Sequence, residues 1–230
     1  LLPQEFSLAR RLTYNQLLCR NAQQADHVLT VSEASKDDLV RMLGLPPERI
    51  TVTYNAPAPA FRPLPPAPGD AARLASRGVR PPDFVYASGL LPRKNILRLL
   101  DAFEGFVTAE RCRPHQLVLA GGGSLPLGPF RDAVERRLAS PLLAGRVVRT
   151  GYLAVEDLVF LINRAVASIY PSLYEGFGFP VVEAMACGTA VITSNVSSMP
   201  EIAGGAALLV DPGDSGDIQK ALERVATDEQ

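Results

Sequence analysis

The stretch Phe84-Val85-Tyr86-Ala87-Ser88-Gly89-Leu90-Leu91-Pro92-Arg93-Lys94-Asn95-Ile96 decides how the chain folds. Its first four residues are apolar and read as a buried strand. Gly89 and Pro92 end that strand. Beyond them Ile96, Leu99, Leu100, Phe103 and Val107 recur at three- and four-residue steps and line one face of a helix, with Asn95 as its N-cap candidate. The unit is a strand, a polar turn and a helix, and it repeats downstream. Strands are expected at 116–120, 146–150, 166–170, 190–193 and 207–210, and helices at 130–138, 155–165, 181–187 and 217–226. Short apolar strands separated by helices imply an α/β fold, a Rossmann-like parallel sheet covered by helices on both faces. In such sheets ligands sit beyond the carboxyl ends of the strands. Attention therefore falls on the loops that start at Ser88, Gly121, Gly151, Pro171 and Ser194.

Upstream of Phe84 the character changes. Pro57, Pro59, Pro63, Pro65, Pro66 and Pro68 crowd together, and Pro81 and Pro82 follow. Proline fixes φ and lacks an amide donor, so residues 56–83 read as a semi-rigid linker without helix or inner strand. Residues 1–55 offer a helix (4–23), a strand (27–31), a helix (32–43) with Ser32 and Ser35 as cap candidates, and a strand (50–53). Two strands and two helices are too few for a sheet that buries both faces. They read as the incomplete tail of a larger N-terminal lobe, and residues 84–230 as the C-terminal lobe.

Composition narrows the classes. Among 230 residues, 47% are hydrophobic and 20% charged, the balance of a packed globular protein. The 23 basic and 24 acidic side chains nearly cancel, so no cationic field draws nucleic acid or an anionic membrane. Charges interrupt every apolar run too early for a membrane-spanning helix, and the first residues lack the pattern of a signal peptide. Cys19, Cys112 and Cys187 are dispersed and odd in number, which argues against a disulfide framework or a metal site and for a reduced, cytoplasmic setting.

Two segments carry chemistry. In Pro171-Ser172-Leu173-Tyr174-Glu175-Gly176-Phe177-Gly178-Phe179-Pro180-Val181-Val182-Glu183, two carboxylates and the Gly176, Phe177, Gly178 and Phe179 amides gather past a strand end, where Pro180 opens a helix. Carboxylates accept from sugar hydroxyls, and amides donate to phosphates. Taken singly, Ser172-x-x-Glu175 is a capping-box pattern, and Glu183 in a first helical turn answers the helix dipole. In Ser88-Gly89-Leu90-Leu91-Pro92-Arg93-Lys94-Asn95, two adjacent cations oppose the dipole of the helix they precede, a local conflict expected where a phosphate binds. Weaker features are the glycine turn Gly121-Gly122-Gly123-Ser124, with Pro126 where a dinucleotide-binding loop has glycine, and Gly151-Tyr152, whose ring could shelve a nucleobase. The isolated His27 and His115, the basic residues Arg10, Arg11 and Arg20, and Ser197, Ser198 and Glu201 form no catalytic or metal-binding pattern.

The spacing E-x7-E inside E-G-F-G-F-P-x-x-E-A-M-A-C-G, with P-R-K-N upstream and S-S-M-P-E-I-A-G-G-A-A-x-x-V-D-P downstream, resembles the family 4 retaining glycosyltransferases of GT-B fold. The resemblance runs over residues 25–226, and Ala25-Asp26-His27-Val28-Leu29-Thr30-Val31-Ser32 resembles the end of that family's N-terminal lobe. It implies two Rossmann-like lobes around a cleft. The donor is a UDP- or GDP-linked hexose, with no cofactor and no metal. By the same resemblance Glu175 contacts the donor sugar, Arg93 and Lys94 neutralise the diphosphate, and Glu183 accepts from the ribose. Gly89 and Tyr152 border the nucleotide, and the 176–179 amides hold sugar hydroxyls or phosphate. The implied activity is hexosyl transfer, with mannose favoured, to a glycan or lipid-linked acceptor. The reaction would run in the cytoplasm or at the inner membrane face, with peripheral attachment through the N-terminal lobe. The rival is a nucleotide-sugar-binding module without turnover. Three departures bear on activity: the start of the N-terminal lobe is not in the sequence, the end looks short for a terminal helix that packs back on that lobe, and Leu90 stands where some members carry another arginine. The stretch alone is therefore expected to bind donor weakly and transfer poorly.

Overall fold

The computed structural model describes residues 8–81, 83–109, 115–121 and 128–227, with side chains in the first helix from residue 16 onward. Cys112, Gly122, Gly123, Ser124, Pro126 and the side chains of Arg10 and Arg11 lie outside the described residues.

The C-terminal part is one parallel sheet. Its strands are β3 (Asp83–Ala87), β4 (Gln116–Ala120), β5 (Val147–Gly151), β6 (Ala167–Tyr170), β7 (Ala190–Ser194) and β8 (Leu208–Val210), in the spatial order β5-β4-β3-β6-β7-β8. β3, β4 and β6 are buried along their whole length, because helices cover both faces. The chain winds outward from β3 through β4 to β5, then returns to the other side of β3 as β6 and winds away again. At that reversal the loops after β3 and β6 lie side by side, at the position where such sheets bind ligands. The two segments singled out above are those two loops.

The helices are α4 (Ile96–Thr108), α5 (Pro129–Leu138), α6 (Val155–Arg164), α7 (Phe179–Ala186), α8 (Met199–Ala203) and α9 (Ser215–Thr227). Ile96, Leu99, Leu100, Phe103 and Phe106 of α4 join Ile218 and Leu222 of α9 in the core. Asn95 does not act as the side-chain cap expected of it. It adopts the left-handed conformation (φ 62°) and gives its amide to Pro171 O at 3.0 Å and Pro212 O at 2.7 Å. The turn after β3 is thereby tied to the loops after β6 and β8.

The N-terminal part forms α1 (Leu8–Gln24), β1 (Val28–Thr30), α2 (Glu33–Leu43) and β2 (Ile50–Val52), the two strands pairing in parallel. Ser32, not Ser35, caps α2: its Oγ accepts from Ser35 N at 3.0 Å.

The proline-rich stretch corrects one expectation. Within 56–83 lies the helix α3 (Asp70–Ala75), and Asp83 already belongs to β3. The prolines stop at Pro68 and resume at Pro81, which leaves room for a helix between them. The stretch is not a free spacer. Leu74, Val79 and Phe61 enter the core. Arg164 donates to Asp70 Oδ2 (2.7 Å), Leu64 O (3.0 Å) and Pro65 O (2.7 Å). Asn163 holds Leu64 N at 2.7 Å and Arg62 O at 3.0 Å. Side chains of α6 thus satisfy the backbone groups that an irregular segment cannot pair within itself.

Candidate active site

Glu175 is the hub where these two loops meet. Its Oε1 takes Lys94 Nζ at 2.6 Å, Ser172 Oγ at 2.7 Å, Arg93 Nη1 at 2.8 Å and Tyr170 OH at 2.9 Å. Lys94 Nζ also donates to Tyr170 OH. Lys94 is only 8% exposed, so the ion pair sits where water screens it little. Burial on its own would push the Glu175 carboxyl up. The bond and charge of Lys94, with Ser172 and Arg93, outweigh that and hold it below the ordinary value. Tyr170 and Tyr86 beneath the cluster go the other way, since burial holds both hydroxyls protonated.

The backbone around Glu175 is also fixed. Ser172 Oγ donates to Arg93 O at 2.9 Å, and Leu173 N to the same carbonyl at 2.8 Å, which stitches the two loops together. Ser197 Oγ donates to Glu175 O at 2.5 Å and accepts from Glu175 N at 3.1 Å. Ser198 Oγ donates to Glu175 O at 3.1 Å and Phe177 O at 2.8 Å. The capping-box reading of Ser172 and Glu175 does not hold. No helix begins there, and α7 starts only at Phe179, after Gly178.

Gly178 has φ 111°, and a Cβ on it would stand 2.4 Å from Met199 Cε, so only glycine fits. Phe177 is buried and packs edge-on against the half-exposed ring of Phe179, 5.3 Å between centroids. Gly176 turns its carbonyl to Ser32 Oγ at 2.6 Å and Ser35 Oγ at 3.1 Å. Glu183 lies in the second turn of α7, not the first, and no described bond joins it to the cluster. It is half-buried, and burial raises its carboxyl.

A second feature adjoins the cluster. Ala87, Ser88, Gly89, Ala120, Gly121, Tyr152, Leu153 and Leu158 enclose a hollow of about 230 Å³. Tyr152 stands over it, 84% exposed. Tyr86 OH donates to Gly89 O at 3.0 Å and so links its rim to the tyrosine pair under the cluster. Gly121 is required there: a Cβ would lie 2.2 Å from Ser88 O.

The structure therefore joins Arg93, Lys94 and Glu175 directly. It joins Gly89 to Tyr152 around the hollow, and it sets Glu183 apart on its helix. Tyr170, Ser172, Ser197 and Ser198 were not singled out by sequence as site residues. Tyr170 looks like one more apolar strand position. The serines matter through hydroxyls whose partners are distant in sequence.

The glycosyl transferases group 1 family model matches residues 75–230, and the Glycosyltransferase Family 4 model matches residues 3–61. The chain belongs to the glycosyl transferases group 1 family. It is 35% identical over 201 residues to O-antigen chain mannosyltransferase B of Escherichia coli, a match covering 86% of this chain and 50% of that protein. Among solved structures, Anabaena HepE in complex with UDP-glucose matches at TM-score 0.81 and 23% identity, over 99% of this chain and 60% of the other. Sucrose-phosphate synthase from Thermosynechococcus elongatus matches at TM-score 0.77 and 26% identity, over 96% of this chain and 55% of the other. The chain spans about half the length of these relatives. The fold is the α/β, parallel-sheet architecture of GT-B glycosyltransferases, as the motifs led one to expect. Among the described residues no helix is long and apolar enough to cross a membrane.

Proposed function

We propose that the protein carrying this chain is a retaining, metal-independent hexosyltransferase. It takes a hexose, mannose first, from a UDP- or GDP-linked donor and passes it to a glycan or lipid-linked acceptor. The observation that carries this reading is the meeting of Arg93 and Lys94 with Glu175 where the sheet reverses its winding. The mannosyltransferase name of the 35% identical relative supports the sugar. The O-antigen chain in that name supports a glycan acceptor.

In this reading the anomeric C–O bond breaks with its electron pair passing to the diphosphate. Arg93 and Lys94 stand where that charge develops, and groups so placed lower a barrier by about 3–4 kcal/mol each. They supply the positive charge that a divalent metal supplies elsewhere. The acceptor oxygen bonds the sugar from the face the diphosphate leaves, and its proton passes to a diphosphate oxygen. Glu175 is not assigned as a covalent nucleophile in this front-face reading; its Oε1 holds Lys94, Arg93, Tyr170 and Ser172. It contacts the donor sugar and keeps the cations in place until the diphosphate arrives. The nucleobase lies in the hollow under Tyr152, Glu183 takes the ribose hydroxyls, and the 176–179 amides hold sugar hydroxyls or phosphate.

The test is release of UDP or GDP from the nucleotide sugar that requires an acceptor, persists in EDTA and yields a product with the donor's anomeric configuration. Tight donor binding without turnover, in the full-length protein, would leave only a binding module.

A further inference from the structure

We propose that the N-terminus of α2 is the seat of the loop that carries Glu175, with Ser32 and Ser35 as positioning residues. The kinetic arm of this proposal rests on the transfer reading, and its structural arm does not.

Gly176 follows Glu175 directly, and its carbonyl accepts from Ser32 Oγ at 2.6 Å and Ser35 Oγ at 3.1 Å. A carbonyl oxygen aimed at a helix N-terminus also meets the positive end of the helix dipole. The two segments are in contact: a Cβ on Gly176 would stand at ordinary van der Waals distance from Ser35 Oγ (3.6 Å) and Val31 Cγ2 (4.0 Å). One residue before Glu175, Tyr174 OH donates to Asp38 Oδ2 at 2.7 Å, a turn further along α2. A third contact comes from α8. The Glu201 carboxylate accepts from Glu33 N at 2.7 Å, Ala34 N at 3.2 Å and Tyr54 OH at 2.7 Å. It thus caps α2 from the other lobe with the charge sign the dipole favours. Glu201 follows closely on Ser197 and Ser198, which hold the Glu175 and Phe177 carbonyls. The loop 174–178 is therefore gripped from two sides, by serines of its own lobe and by serines of the N-terminal part. Glu175 is in register with the cations only while α2 is seated.

Ser35→Ala removes one grip and spares the Ser32 cap. Glu201→Gln weakens the clamp, and Ser35→Thr restores the hydroxyl. Hydrogen exchange across 174–179, which includes the Glu175 amide, is compared with exchange across 167–170 in β6. The expected result is several-fold faster exchange in the loop alone for Ser35→Ala and Glu201→Gln, with Ser35→Thr at the wild-type rate. In the full-length enzyme kcat should fall about tenfold while KM for the nucleotide sugar stays within about twofold, as expected when only transition-state placement is lost. Wild-type exchange and kcat in both variants overturns the seat. So does a general loss of melting temperature with kcat and KM falling together. Should either variant fail to fold, Tyr174→Phe, which removes only the Asp38 bond, gives the same loop readout. A wild-type protein that binds no nucleotide sugar sinks the transfer reading, and the exchange result still decides the seat.

Discussion

Lys94 Nζ lies 2.6 Å from Glu175 Oε1, and both side chains are 11% exposed. Each offsets part of the other's cost of leaving water, so removing one leaves its partner less well compensated. Lys94→Ala is expected to weaken UDP or GDP binding by about 1.5–3 kcal/mol, the scale of a charged hydrogen bond. Adding Glu175→Gln should recover part of the stability lost, because no buried carboxylate then relies on Arg93, Ser172 and Tyr170 without Lys94. Calorimetry and thermal melts read the two effects. Unchanged nucleotide affinity in Lys94→Ala would remove that side chain from the diphosphate site.

The same pair sets an acid limit. The Glu175 carboxyl is held below its unfolded value, near 4.5. Its contribution is complete above that value and is lost as pH falls through the lowered one. As pH falls from above that unfolded value through the lowered one, the wild type should therefore lose more melting temperature than Glu175→Gln. Parallel curves for the two proteins would contradict the ionised, cation-bound carboxylate.

Glu183 has the opposite sign. Burial raises its carboxyl, so its ionised form costs stability above its unfolded value, and the cost fades as pH falls through the raised one. At pH 7 Glu183→Gln should melt higher than wild type, and the gap should close on acidification. If the side chain serves the ribose, the same substitution weakens donor binding by about 1.5–3 kcal/mol. A variant both less stable and unaltered in affinity would make Glu183 a structural residue.

Tyr170 stands between the two charges, accepting from Lys94 and donating to Glu175. Tyr170→Phe keeps the ring and removes the bridge. A stability loss of about 0.5–1.5 kcal/mol is expected, with kcat falling more than KM rises. A loss confined to stability would assign the hydroxyl to the core alone.

Gly121→Ala tests the hollow. The new methyl would meet the Ser88 carbonyl, which is backbone and cannot rotate away. Overpacking of this kind costs about 1–3 kcal/mol, and it displaces the Ser88–Gly89 rim under Tyr152. Affinity for a free nucleoside diphosphate should drop with stability. Full affinity in a folded variant would place the base elsewhere.

The strands of the sheet were legible because a parallel sheet buries its inner strands on both faces. Phe84 to Ala87 and Leu117 to Ala120 could hardly be anything else. What escaped were elements defined by distant partners. α3 hides among prolines and is stable because Leu74 is buried and Arg164 grips its start. The five residues of α8 are too few to show a period. Asn95 looked like a cap because asparagine before an apolar helix usually is one, yet its amide serves two prolines from other loops. Arg93, Lys94 and Glu175 stood out by residue type and position at strand ends. Tyr170, Ser197 and Ser198 did not, since a hydroxyl in a strand or a serine pair in a loop carries no signal until its acceptor is known.

Between the end of α4 and the start of β6 the polypeptide adds β4 and β5 at one edge of the sheet and supplies Ala120, Gly121, Tyr152, Leu153 and Leu158 to the hollow, while Arg93, Lys94 and Glu175 all lie outside that segment. Most of the hollow's far wall is thus encoded apart from the charged hub, and the two share only the turn that begins at Ser88 and Gly89. Grafting a relative's segment between these fixed ends offers a route to altered donor choice with the reacting groups untouched.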